Sequence, residues 1–189
     1  MHAPVPTFAK EVEEDWVDAQ MASILKGDTT RCLSLCVTAL EAPCVISHLA
    51  SPAVHAQDLS QTLQTCLTRC TSTASQVVER LLDFAPSYAT TLRRFGLVHN
   101  LPLLACPSDT LVAAAALVRD DDANADALVS NGYVATLCSR LDGLVVMRSE
   151  EAVRFLIKVV DVCPEAASEL SEATRRTVLR ALDGGGDSV

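Results

Sequence analysis

The chain has 189 residues, 49% hydrophobic and only 4% aromatic, with a net charge of −9 and a pI near 4.8. That length and apolar content suit one domain with a real core, and the weight of Ala, Leu and Val favours close-packed helices over a β-sandwich. The charge argues against a phosphate-backbone binder and an electrostatic membrane-surface protein, and fits either a basic or neutral protein partner or a plainly solvated acidic surface.

Residues 1–6 hold two prolines and read as a flexible arm. They lack the basic start and apolar run of a secretory signal, and Glu11, Glu13 and Glu14 come too early for a transit peptide. No apolar run nears the roughly 20 residues of a membrane span, since 111–118 stops at Arg119. A reducing, cytoplasmic compartment is the expectation. Thr7 starts a predicted helix to about Lys26, with Phe8, Val12, Trp16, Met21, Ile24 and Leu25 on one face and Gly27 closing it. Asp28 or Thr29 starts the next, whose apolar stripe is Cys32, Leu33, Cys36, Val37 and Leu40, halted before Pro43. One or two turns follow, then a loop from Ser51 to Gln57. Asp58 caps a helix to about Cys70, and the hydroxyls of 71–75 interrupt the pattern.

Beyond that point the chain repeats itself. Residues 74–92 match residues 152–170 without a gap, 78 positions later. Ala74/Ala152, Asp83/Asp161, Pro86/Pro164, Ala89/Ala167 and Leu92/Leu170 are identical. A third copy lies around 113–128, and Gly96-Leu-Val and Gly132-Tyr-Val stand 36 apart. The units read short helix, glycine, medium helix, capped turn, long helix. Predicted helices at 110–119, 124–131 and 133–141 follow this order, and Ser149 caps a helix through 152–163. After Pro164 come a short helix at 165–170 and another at 172–182. Self-similarity at a fixed period marks a stack of units, although an ordinary helical bundle remains the competing architecture.

The glycines, prolines and spacing of these units resemble the armadillo repeat, whose three-helix units of about 40 residues stack into a solenoid. The resemblance implies an all-α fold, a right-handed α-solenoid of about three to four armadillo-like repeats. It covers 58–183 and leaves 7–57 as an N-terminal helical capping region or degenerate repeat, with 184–189 as a flexible tail. In that family a Trp and an Asn four residues apart on each third helix line a groove that holds an extended peptide. The matching Trp sites here are Glu79, Ala115 and Ile157, and the Asn sites are Asp83, Arg119 and Asp161. Every position departs from the hallmark, which speaks against import-signal binding through an asparagine ladder. A mostly acidic row replaces it: Glu79, Asp83, Arg119, Asp161 and, one turn on, Glu165. As a binding surface it suits Lys or Arg side chains of a protein partner; as a helix face it is simply solvated.

A narrower resemblance covers 110–133. Ala116-Leu-Val-Arg followed by acids, Leu128 and Gly132-Tyr133 is similar to a junction in armadillo-type nucleotide-exchange factors of heat-shock chaperones. It implies, as an alternative function, regulation of a heat-shock ATPase.

Eight cysteines add a third possibility. Cys32/Cys36 and Cys66/Cys70 are each spaced i, i+4 on one helix face, so four thiolates from two facing helices are a conceivable zinc site or pair of disulfides. Free buried thiols in a reducing compartment are the expectation, because cysteine suits tight helix contacts. His48, His55 and His99 make no recognisable metal or nucleophile–base pattern, and there is no phosphate-cradling loop, since Gly184–Gly186 belong to the tail. Val189 carries a free carboxylate on a glycine hinge, as in tails that add to a sheet edge, but Asp187 stands where those tails have Ser or Thr. The sequence therefore points to a non-catalytic adaptor or scaffold subunit that binds one protein within a larger complex, with no cofactor, nucleic acid or membrane involved.

Overall fold

The computed structural model describes residues 14–104, 109–119, 121–140, 150–172, 174–176 and 178. Among these the structure is helical throughout, with no strand. Eleven α-helices are described: α1 (Glu14–Leu25), α2 (Arg31–Glu41), α3 (Pro43–Leu49), α4 (Ala56–Arg69), α5 (Thr71–Phe84), α6 (Tyr88–Arg94), α7 (Leu97–Leu104), α8 (Leu111–Arg119), α9 (Asp122–Ser130), α10 (Tyr133–Arg140) and α11 (Glu150–Val162). A 3-10 helix, Pro164–Glu169, follows.

The matching stretches fold alike. Helix α5 buries Ala74, Val77, Val78, Leu81 and Leu82, and α11 buries Ala152, Phe155, Leu156, Val159 and Val160 at the corresponding positions. Helix α8 continues the pattern 36 residues beyond α5 with Ala113, Ala114, Leu117 and Val118, preceded by buried Thr110. Three- and four-residue steps put each set on one stripe, and that stripe meets the neighbouring helices. Both α5 and α11 stop for the same reason. A proline disfavours helical backbone in the residue before it, so Ala85 (φ −139°, ψ 80°) and Cys163 (φ −123°, ψ 81°) leave the helical region. Ala42 before Pro43 does the same (φ −119°, ψ 101°), and the chain turns by 112° between α2 and α3. At Asp121 the backbone is again extended (φ −142°, ψ 100°) with no proline; its carboxylate caps α9 by accepting from the Ala123 N–H at 3.0 Å.

Four helices pack in a row, α2 on α5, α5 on α8 and α8 on α11. A second row runs α1, α4, α7 and α10, with α3, α6 and α9 linking the rows. Polar bonds between neighbours keep a nearly constant sequence separation. Ser60 donates to the Phe95 carbonyl (3.1 Å), Ser75 to Asp109 (3.0 Å), Asn124 to Ala89 (3.4 Å) and Asn131 to Val98 (2.9 Å), across 33 to 35 residues each. Buried carbonyls that would otherwise lack water are thus satisfied by the adjacent layer. Gly96 and Gly132 reverse the chain at matching places, with φ of +86° and +78°, a region that side-chain-bearing residues avoid.

Several boundaries differ from the sequence expectation. Helix α4 starts at Ala56, with Asp58 inside its first turn rather than capping it. The interruption expected over 71–75 is a single residue, Cys70 (φ −140°, ψ 59°), after which the hydroxyl-bearing residues open α5. Helix α2 buries Cys32, Leu35, Cys36 and Ala39 and leaves Leu33 and Val37 exposed, so its stripe is rotated from the one expected. Small thiols and an alanine let α2 approach α4 and α5 closely, which outweighs burying the larger Leu33. The expected caps at Thr7, Pro107–Ser108 and Ser149, both tails, and Ala173 in the third glycine position lie outside the described residues.

Candidate functional site

The long helices α5, α8 and α11 lie side by side, and their shared face is where the acidic row was expected. Glu79, Ala115 and Ile157 are half-buried there, whereas Asp83, Arg119 and Asp161, one turn on, are exposed. A pocket of about 260 Å³ opens between the helices, with Ala115, Ala116, Val118 and Phe155 as its apolar floor and Glu79, Arg119, Arg154 and Lys158 around it. Of the five expected residues, the structure gathers Glu79 and Arg119 at this pocket and ties Asp83 to Arg119 by a 2.7 Å ion pair between α5 and α8. Asp161 and Glu165 are exposed and do not line it.

The charge of the face differs from the row read from sequence. Asp83 is neutralised by Arg119, and the cations Arg154 and Lys158 stand on α11 at the pocket edge. Lys158 reaches back to Asp122 at 2.6 Å. The hallmark positions alone had picked out one face of α11 and skipped these two. Their i, i+4 spacing was the available signal, since such a pair points the same way from a helix. The result is an apolar floor with one acid, Glu79, and three cations, Arg119, Arg154 and Lys158, around it.

Residues in the 110–133 stretch are engaged inside the fold. Thr110 and Tyr133 share a buried 3.0 Å hydrogen bond, and Asn124 donates to the Leu117 carbonyl at 2.6 Å. Asp121 accepts from Thr90 (2.7 Å) and Arg93 (3.1 Å). Burial opposes ionisation of Asp121, but those two bonds outweigh it and hold its carboxyl below the usual range.

The four paired cysteines do meet. Cys32, Cys36 and Cys66 are buried and Cys70 is half-buried, with the Cys36 and Cys70 sulfurs 3.9 Å apart. All four are free thiols, as are Cys44, Cys138 and Cys163; Cys106 lies outside the described residues. Among the described residues no three His, Cys, Asp or Glu side chains are placed to share a metal ion. Burial pushes the Cys138 thiol up to about 11 and the Cys163 thiol up to about 12, the latter helped by its 2.8 Å bond to Asp126. Cys70 moves the other way, down to about 4, because S–H groups of Cys36 and Cys66 donate to its thiolate. Cys66 is shifted upward by its bonds to Cys36 and Cys70 and by burial. The pairing of the i, i+4 motifs was legible in sequence; the inequality between Cys70 and its neighbours was not, because it arises from contacts among thiols that only the packed helices bring together.

No single helix among the described residues is long and apolar enough to cross a membrane. Compared with protein-family models, with curated proteins and with solved structures, the chain matches none.

Proposed function

We propose that the chain is a short, right-handed armadillo-like solenoid acting as a non-catalytic adaptor, and that it holds a segment of one protein partner against the face shared by α5, α8 and α11. Helices α3–α5, α6–α8 and α9–α11 form its units, with α1 and α2 as the capping layer. The repeated non-helical junctions at 42, 85, 121 and 163 and the layer-to-layer bonds at near-constant separation support this architecture.

The observation that carries the functional reading is the pocket itself. It lies at the groove positions of the armadillo resemblance, with an apolar floor and charges of both signs around it. An aliphatic side chain seated on Ala115 and Phe155 contributes about 1.5–3 kcal/mol by burial. A basic neighbour in the same segment meets Glu79, and Asp161 and Glu165 extend the acidic side beyond the pocket. The charges set orientation and the floor sets affinity.

Affinity capture from cell extract followed by mass spectrometry tests this, with wild-type protein beside Ala115→Arg, which fills the pocket. A protein enriched by the wild type and lost from the variant is the expected result. Recovery of nothing above background removes the adaptor reading. Equal recovery by both proteins moves the interface away from this face.

A further inference from the structure

We propose that Cys70 and Cys36 form a peroxide-responsive dithiol that closes to a disulfide and staples α2 to the α4–α5 junction. The inference does not depend on the partner-binding face. It rests first on position. The two sulfurs are 3.9 Å apart, on chain segments 34 residues apart in sequence, with Cys66 beside them. Cys70 is the single non-helical residue between α4 and α5 (φ −140°, ψ 59°), so it stands directly at the N-terminal end of a 14-residue helix. A helix N-terminus favours a thiolate.

The neighbours divide the roles. Cys36 and Cys66 are buried, whereas Cys70 is half-exposed and within reach of a small oxidant. Once Cys70 ionises, the thiols of Cys36 and Cys66 donate to it, and the charge of Arg69 is felt within the cluster at Cys32. The protonated Cys70 thiol instead donates to the Cys66 carbonyl at 3.3 Å, the contact that ionisation gives up. Cys138 and Cys163 lack this arrangement and stay protonated.

The chemistry balances with hydrogen peroxide as the oxidant. The Cys70 thiolate attacks one peroxide oxygen, the O–O bond breaks, and the leaving hydroxide takes up a proton to give water and a sulfenic acid. The Cys36 sulfur then attacks the Cys70 sulfur; its thiol proton and the departing hydroxyl leave as a second water. Two thiols lose two electrons and two protons, and one peroxide becomes two waters. Bond formation brings the sulfurs from 3.9 Å to about 2.05 Å.

The test treats the reduced full-length protein with equimolar hydrogen peroxide, alkylates the remaining thiols and maps peptides by mass spectrometry. The expected product is one peptide pair joined through Cys36 and Cys70, lighter by two hydrogens and separated by dithiothreitol, while exposed Cys44 remains alkylated. In Cys36→Ser, Cys70 accumulates as a dimedone-trapped sulfenic acid, and in Cys70→Ser neither product forms. Circular dichroism checks that both variants fold; the wild-type map is decisive without them. Oxidation of Cys44 or Cys138 ahead of Cys70, a joined pair that excludes Cys36, or Cys36 and Cys70 both left reduced overturns the proposal.

Discussion

Helices α2 and α11 stand at the two ends of one row and are packed with different material. Helix α11 buries Phe155, Leu156, Val159 and Val160, with the Phe155 ring edge-on to Tyr133 at 5.9 Å and 82°. Helix α2 offers two cysteines, one leucine and one alanine to its neighbours, and leaves Leu33 and Val37 outside. The α11 end is held by volume. The α2 end is held by close approach of small side chains, which gives less burial per residue but brings thiols into contact. The same helical row thus supports a firm core at one end and redox chemistry at the other.

Truncation should break this comparison most visibly. Phe155→Ala removes a large side chain that is 1% exposed and is expected to cost about 3–5 kcal/mol, read from urea denaturation midpoints. Cys36→Ala, equally buried, removes only a sulfur and should cost about 1 kcal/mol. Comparable losses at the two sites would mean that the thiol contact is as tightly packed as the aliphatic one.

Asp121 sharpens the picture between the ends, because it makes with polar bonds the chain break that prolines make at 43, 86 and 164. Asp121→Ala loses the α9 cap and leaves Arg93 without its carboxylate, for an expected loss of about 2 kcal/mol at neutral pH. The sign with pH follows from a folded-state pKa held below the ordinary 3.8. The contribution is fully present above the ordinary value and is lost as the pH falls through the lower folded one. The gap in denaturation midpoint between wild type and variant should therefore hold at pH 7 and narrow as the pH falls below the ordinary carboxyl value of 3.8.

Much of the helical order was legible. The ungapped match between 74–92 and 152–170 picked out α5 and α11 as equivalent helices, which bury corresponding positions because a 3.6-residue period determines which side chains share a stripe. The turns at Gly96 and Gly132 were legible too, because few residues other than glycine accept positive φ. Helix α2 was misjudged: hydrophobicity favoured Leu33 and Val37, and the choice of Cys32, Leu35, Cys36 and Ala39 depends on neighbours far along the chain. Groove charge was half visible. Glu79, Asp83 and Arg119 were in place, but the pairing of Asp83 with Arg119 and the entry of Arg154 and Lys158 need three helices assembled.

The two glycine turns allow a finer comparison. Gly132→Ala strains a φ of +78° with open space around the new methyl, for an expected loss of about 1 kcal/mol. At Gly96 the added Cβ also sits 3.4 Å from the Asn100 side chain, which bonds Gln64 at 3.0 Å and ties α7 to α4. Gly96→Ala should cost slightly more, and equal thermal shifts for the two would show that backbone strain alone sets the cost.

The smallest stability effect belongs to the pair on the face shared by α5, α8 and α11. Asp83 and Arg119 are 54% and 45% exposed, so water screens their 2.7 Å contact. Exposed pairs of this kind contribute about 0–1 kcal/mol. Asp83→Ala should therefore leave the denaturation midpoint almost unchanged while releasing the Arg119 guanidinium from its carboxylate at the pocket edge. If the face binds a segment through its apolar floor and the charge pattern around it, that release changes partner capture far more than it changes stability. The two measurements together distinguish a binding face from a solvated one. A variant that keeps both its midpoint and its full capture would show the Asp83–Arg119 pair to be a bystander. Lost capture at an unchanged midpoint would instead tie recognition to charges that fold stability barely registers.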